Sequence, residues 1–210
     1  MKLWTAGVAP NPRRVSIFIA EKGIEVPTVE IDLAKNEHHD PEFVAKNPLG
    51  RVPVLVLDDG FCLAESMAIC RYLEELHPEP PLFGTDARDR AIVEMWSRRM
   101  EIEILLNMTG CFRNTHPYWQ GRIEQVEAYG ELCRRTAYDR MKWLDGELVD
   151  REFIAGTAFT VADITAVCGF GIGRAAKIRI PEELASLTRW HQTVSERPSV
   201  ASTSPSAGKG

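Results

Sequence analysis

The chain has no apolar run long enough to cross a bilayer. A membrane helix needs about 20 such residues. The longest stretches here are residues 52–57 and 164–172, the second interrupted by glycine. Met1-Lys2-Leu3-Trp4 is followed by prolines and arginines rather than an apolar signal core. Export is therefore not expected, no membrane partner is expected, and a cytoplasmic location is. Cysteine is sparse: Cys62, Cys70, Cys111, Cys133 and Cys168 include no CxxC pair. That excludes a dithiol redox motif and a zinc knuckle, and leaves buried, reduced thiols. The five histidines lack metal-ligand spacing, so no metal is expected. The net charge of −5 argues against a nucleic-acid surface. What remains, at 44% hydrophobic and 26% charged, has the composition of a globular protein.

The chain changes character near residue 80. Residues 1–77 alternate between strand-like and helix-like runs. Residues 2–5 read as a strand. Asn11-Pro12 reads as an N-cap and first helical position, with Gly23 as the stop. Between them Val15, Phe18, Ile19 and Lys22 share one face. Residues 25–31 read as a second strand and 41–46 as a short helix. Residues 52–57 and 61–63 flank an Asp59-Gly60 hairpin turn. Ser66 opens a helix whose apolar side is Ile69, Cys70, Leu73 and Leu76. The order predicts an α/β domain with a small mixed sheet. Residues 78–85 are a proline-rich linker. Residues 86–198 read as all-helical, in runs over 86–111, 122–149, 164–176 and 181–197. Thr160-Val161-Ala162-Asp163 is a capping box for the third run. Residues 105–119 are expected to break the helical half, and 199–210 to form a flexible tail.

Three pieces, in order, carry a resemblance. They are Asn47-Pro48-Leu49-Gly50-Arg51-Val52-Pro53-Val54-Leu55, Leu63-Ala64-Glu65-Ser66-Met67-Ala68-Ile69, and Phe153-Ile154-Ala155-Gly156 followed by Thr160-Val161-Ala162-Asp163. Each alone is common. In register over residues 1–198, they resemble the cytosolic glutathione transferases, with bacterial theta-, phi- and nu-like groups nearest in look. The resemblance implies a thioredoxin-like N-terminal domain with a mixed four-stranded sheet, and an all-α C-terminal domain. It implies a cis Val52-Pro53 bond whose Val52 backbone pairs with the cysteinyl residue of glutathione as an added strand. It implies that Ser66 holds the γ-glutamyl carboxylate at a helix N-terminus and that Glu65 pairs the ammonium. Ser66 also fits a plain N-cap.

By the same resemblance His38 and His39 lie at the glycine end of glutathione, with Lys35 and Lys46 as substitutes, and Arg51 and Pro53 count among the glutathione-binding residues; the histidines equally fit a solvated loop. The two histidine rings, on adjacent residues, are expected to diverge on a helix or strand. His39 stands where phi-like members carry Lys, and is a weaker anion partner at neutral pH. The serine that theta- and phi-like members use at the thiol is Ala9 here, which has no donor. Asn11, as in nu-like members, becomes the first candidate for the sulfur, with Thr5 second. Asn11 equally fits a pure N-cap. Met108, Phe112, His116, Tyr118 and Trp119 fall in the region that the family uses for its second substrate. Met108 and Phe112 also fit core packing.

The implied activity is transfer of the glutathione thiolate to a small electrophile. Two alternatives stay open: reduction of a disulfide, toward which Ala9 points, and binding of glutathione or an apolar ligand without catalysis, which Ala9 and His39 support. Glutathione is the implied co-substrate. A homodimer is implied, with Arg71, Met95 and Trp96 placed to contribute.

Overall fold

The computed structural model describes residues 1–7 and 9–203. Residues 204–210 of the expected tail lie outside the described residues. The chain forms two units, Met1–Pro81 with the segment from Pro198 onward, and Leu82–Arg197.

In the first unit the sheet order is β2-β1-β3-β4, built from β1 (Lys2–Thr5), β2 (Thr28–Glu30), β3 (Val54–Val56) and β4 (Cys62–Ala64). β1 runs parallel to β2 and antiparallel to β3, and β3 pairs antiparallel with β4. This is the mixed four-stranded sheet of a thioredoxin-like domain. β1 has its expected bounds and β4 is shifted by one residue, while β2 and β3 are shorter than expected because pairing ends where prolines and turns remove ladder partners. Period-2 alternation sorts the side chains. Trp4, Val54 and Val56 pack with Phe43 of α2 (Pro41–Val44) on one face. Leu3 and Leu55, paired across β1 and β3, are buried on the other.

Helices α1 (Pro10–Lys22) and α3 (Ser66–Leu76) pack together. Helix α1 starts at Pro10, two residues earlier than the expected Pro12, with Ala9 at the cap. Asn11 is therefore not an N-cap but the second helical residue. Proline is tolerated there because the first turn has no intrahelical acceptor for its N–H. The buried side of α1 includes Arg14, Phe18 and Lys22 at four-residue spacing, and Ile17 in place of Ile19. Lys22 Nζ lies 2.5 Å from Glu74 Oε2 and 2.5 Å from Pro80 O, so a wholly buried lysine ties α1 to α3 and to the end of the unit. Gly23 closes α1 at φ 61, as expected of a left-handed stop.

The second unit contains α4 (Ala87–Arg99), a π-helical turn (Met100–Leu105), α5 (Leu106–Thr115), α6 (Glu127–Glu147), α7 (Val161–Ala175) and α8 (Ala185–Ser195). The break expected over residues 105–119 comes only after Thr115. The helix continues to Thr115 because Asn107 Nδ2 donates to Ile102 O and Glu103 O across the π turn. Helices α5 and α6 close on two glycine notches. A Cβ at Gly110 would lie 2.7 Å from Cys133 Sγ, and one at Gly130 would lie 2.5 Å from Thr115 Cγ2. Residues 161–170 of α7 are all buried, and the Thr160–Asp163 capping box is present.

Residues 199–203 are not a frayed tail. Pro198–Ser202 form α9, and Val200 is 1% exposed. All five cysteines are free thiols, with only Cys62 partly exposed.

Candidate functional site

The first unit gathers most of the expected site residues on its loops and helix starts. Asn47 organises the approach. Its Nδ2 donates to Arg51 O at 2.8 Å, and its Oδ1 accepts from the Leu49 N–H at 3.2 Å. Gly50 has φ +58, and a Cβ there would lie 3.0 Å from both His38 O and His39 Nδ1. The loop 47–51 therefore sits directly against the His38–His39 pair, and only glycine fits the contact. The two imidazoles do not diverge. In a 3-10 turn over Glu37–His39 their centroids are 4.0 Å apart. The rings are tilted 42° to one another, with the His39 ring against Gly50. Arg51, the next residue of that loop, is exposed. Lys35 pairs with Asp32, and Lys46 lies 4.3 Å over the Trp4 ring.

The Val52-Pro53 bond is cis. Among the described residues, no hydrogen bond occupies the Val52 N–H or C=O. β4 then leads into Glu65, whose φ of 65 is unusual for a residue with a Cβ. Such a backbone costs of order 1–3 kcal/mol and persists where surroundings over-determine it. Glu65 is exposed and occupies the N-cap position of α3, while Ser66 is already helical. Ser66 is thus not the cap. Its hydroxyl does not close the helix but accepts from Arg14 Nη1 at 2.8 Å.

Arg14 is the residue that the motif reading missed. It is 1% exposed. The same Nη1 that donates to Ser66 Oγ also reaches Asn11 Oδ1 at 3.4 Å. A buried guanidinium thus joins the starts of α1 and α3. Its signal in the sequence was the four-residue spacing Arg14–Phe18–Lys22, which places a cation on the buried stripe. The Arg14 contact directs Asn11 Oδ1 inward and leaves Nδ2 on the far side of the amide, where Asn11 is exposed. Thr5, the other expected thiol partner, is only 3% exposed and faces away from the Trp4 side of the sheet. Burial removes it as an accessible donor.

In the second unit four of the five expected pocket residues form one aromatic cluster. Phe112 lies 4.7 Å from His116, 6.4 Å from Tyr118 and 6.1 Å from Trp119, and Tyr118 meets Trp119 edge-on at 5.1 Å. The guanidinium of Arg113 lies over Trp119 and that of Arg122 over Tyr118. His116 Nδ1 accepts from the Tyr118 N–H at 3.1 Å. Met108 does not join them. It is 1% exposed, packed where a Cβ on Gly173 would approach its sulfur to 2.7 Å, and belongs to the core. Trp96, expected at a subunit contact, is also core: 4% exposed and stacked on Trp143 at 5.7 Å. Met95 is exposed.

These features define a class first: a thioredoxin-like domain bearing a cis-proline loop, followed in sequence by an all-helical domain. Comparison with known proteins agrees. Residues 1–75 match the N-terminal domain of glutathione S-transferases, and residues 99–198 match the C-terminal domain. Glutathione S-transferase 2 of Saccharomyces cerevisiae is 36% identical over 204 residues, covering 95% of this chain and 88% of that protein. The crystal structure of Gtt2 from the same yeast matches with a TM-score of 0.91 at 35% identity, over 97% of this chain and 100% of that one. A Gtt2-class glutathione S-transferase of Vibrio parahaemolyticus matches with a TM-score of 0.85 at 36% identity, over 97% of each chain. The chain belongs to the glutathione S-transferase family and is a glutathione S-transferase enzyme, with glutathione as its co-substrate. Kinship with the Gtt2 class refines the resemblance read from the motifs. No helix among the described residues is long and apolar enough to cross a membrane.

Proposed function

We propose that glutathione is seated on the first unit, with its sulfur at the N-terminus of α1 and Asn11 as its partner. The observation that carries this reading is the sequence of that first turn. Pro10 and Pro12 have no N–H, and the Arg13 N–H already donates to Ala9 O at 3.0 Å. Asn11 therefore supplies the one unused backbone donor of the turn, beside its own side-chain NH₂. The positive end of the helix favours the thiolate over the thiol. Ala9 at the cap adds no donor but leaves room for a sulfur.

The remainder of the tripeptide follows from the chemistry of the cradle. Its γ-glutamyl carboxylate suits Ser66 and the start of α3, with Arg14 behind the hydroxyl. Its ammonium suits Glu65. Its cysteinyl backbone suits the open N–H and C=O of Val52. Its glycine carboxylate suits the His38, His39 and Arg51 corner. Once formed, the thiolate attacks the electrophile, a carbon–sulfur bond forms, and the leaving group departs. The thiol proton passes to solvent, and no protein nucleophile is needed. The aromatic cluster of Phe112, His116, Tyr118 and Trp119 is the proposed seat of the electrophile. A homodimer and a cytoplasmic location belong to the same reading. Ala9 in place of a hydroxyl favours a second activity, reduction of glutathione-containing disulfides.

The test is calorimetric titration with reduced glutathione on wild type and Asn11→Ala, with ultraviolet detection of bound thiolate. Binding with a thiolate signal that the substitution abolishes supports the reading. An unchanged thiolate signal removes the Asn11 side chain from the role and leaves the backbone N–H, which alanine keeps, as the sulfur's partner. Turnover with electrophiles, set against turnover with glutathione disulfides, decides between the two activities.

A further inference from the structure

The first turn of α1 is held from behind by the far end of the chain. Arg13 is 5% exposed. Its Nε donates to Thr203 O at 3.1 Å and its Nη2 to Val200 O at 3.3 Å. At the opposite end of α1, Ser199 Oγ bonds Glu21 Oε1. Residues 13 and 21 are about 12 Å apart along a helix. The segment 199–203 therefore runs antiparallel to α1 and is fastened near both of its ends. Its own turn is closed by Ser202 Oγ and Thr203 Oγ1 donating to Ser199 O, with Thr203 Oγ1 also reaching Val200 O. The planar guanidinium meets the carbonyl end of this turn, where a cation is favoured and two acceptors can be taken at once.

This matters because few backbone hydrogen bonds fix the turn, and Arg14 reaches it through the Asn11 side chain at 3.4 Å. Two prolines remove donors from Pro10-Asn11-Pro12-Arg13, and the cap residue Ala9 has no polar side chain. Arg13 makes the first intrahelical backbone bond and also carries the anchor. Arg14, one residue on, donates to Ser66 Oγ. We infer that Arg13 and the segment 199–203 are a positioning device for thiolate activation: they hold the Asn11 N–H at the sulfur without touching glutathione. The inference rests on the reading that the sulfur lies at the N-terminus of α1. Losing the anchor should loosen the thiol end of the site and spare the Ser66 and Val52 end.

The experiment uses Arg13→Ala, Arg13→Lys and Ser199→Ala in the full chain. It measures glutathione affinity, the pH profile of kcat and the thiolate absorbance of the complex. Arg13→Ala should raise the apparent thiol pKa by about half a unit to one unit. It should lower kcat at neutral pH by about three- to tenfold, with glutathione affinity changed by no more than about twofold. Arg13→Lys should recover part of both effects by keeping the charge. If Arg13→Ala does not fold, Arg13→Lys and Ser199→Ala, which each weaken one anchor, must show the same split in smaller degree. A lower melting temperature with an unmoved pH profile would make Arg13 merely structural and overturn the inference. Wild-type complex with no thiolate at neutral pH would instead overturn the underlying reading, which separates the two failures.

Discussion

Asp163 offers the sharpest test of how this fold is held. The capping role alone, read from Thr160-Val161-Ala162-Asp163, is worth about 1 kcal/mol. Tertiary structure adds to it. Asp163 is fully buried, and its two oxygens serve four donors. Oδ1 accepts from the Ile154 N–H at 2.9 Å and the Trp190 Nε1–H at 2.8 Å. Oδ2 accepts from the Thr160 N–H at 2.9 Å and Thr160 Oγ1 at 3.1 Å. Asp163→Ala strands the Ile154 and Trp190 donors in the core, at about 1–2 kcal/mol each, so the total loss should be about 3–5 kcal/mol. Burial raises the Asp163 pKa above its ordinary 3.8, and the four hydrogen bonds oppose that rise. The folded state therefore holds the proton more tightly than the unfolded chain does. That contribution is complete below about 3.8 and is lost as pH rises through the higher folded value. Asp163→Asn keeps one acceptor oxygen and cannot ionise. It should cost less than Asp163→Ala and flatten the decline of stability with rising pH. Urea unfolding followed by tryptophan fluorescence across mildly acid to neutral pH measures both. A loss under about 1 kcal/mol for Asp163→Ala would refute the reasoning, since the added hydrogen bonds would then carry no weight.

Ser66→Ala should raise the glutathione KM by about tenfold, because the γ-glutamyl carboxylate loses a hydroxyl donor that Arg14 now orients; an unchanged KM would place the carboxylate elsewhere. Gly50→Ala should lower both stability and glutathione affinity. Its φ of +58 and the 3.0 Å approach to His38 O and His39 Nδ1 leave no room for a methyl group, and thermal melting with calorimetry reads the two effects. Gly130→Ala should destabilise the helical unit by about 1–3 kcal/mol by forcing α5 and α6 apart at Thr115 and Asn114. It should leave glutathione affinity unchanged, which titration of the folded variant checks.

Several features were legible in the residues because their causes are local. The Asp59-Gly60 turn is one, closed by Gly60 N–H to Leu57 O at 3.0 Å. The left-handed Gly23 stop and the Thr160–Asp163 box are others. Each depends on residues within four positions of one another. The motif around Val52-Pro53 and Glu65-Ser66 was legible for another reason: its order along the chain is distinctive even though no single piece is.

Where the reading went astray, the cause lies far along the chain. Helix α6 begins at Glu127 rather than 122 because the Val126 N–H finds Asn114 Oδ1, in the helix before it. Helix α8 begins at Ala185 because the Leu187 N–H finds Asp145 Oδ1. Arg14 and Ser66 are 52 residues apart, and Arg13 and Val200 are 187 apart. Element types and domain order could thus be read from the residues, since periodicity, caps and turns act over one or two turns of chain; the family came from the motifs shared with its known members. Tertiary packing chose which polar groups meet. It put Arg14 behind Ser66, buried Thr5 and Met108, brought His38 and His39 together at Gly50, and folded residues 199–203 onto α1. A buried donor takes whatever acceptor the packed chain brings within 3 Å, and no local pattern records that choice.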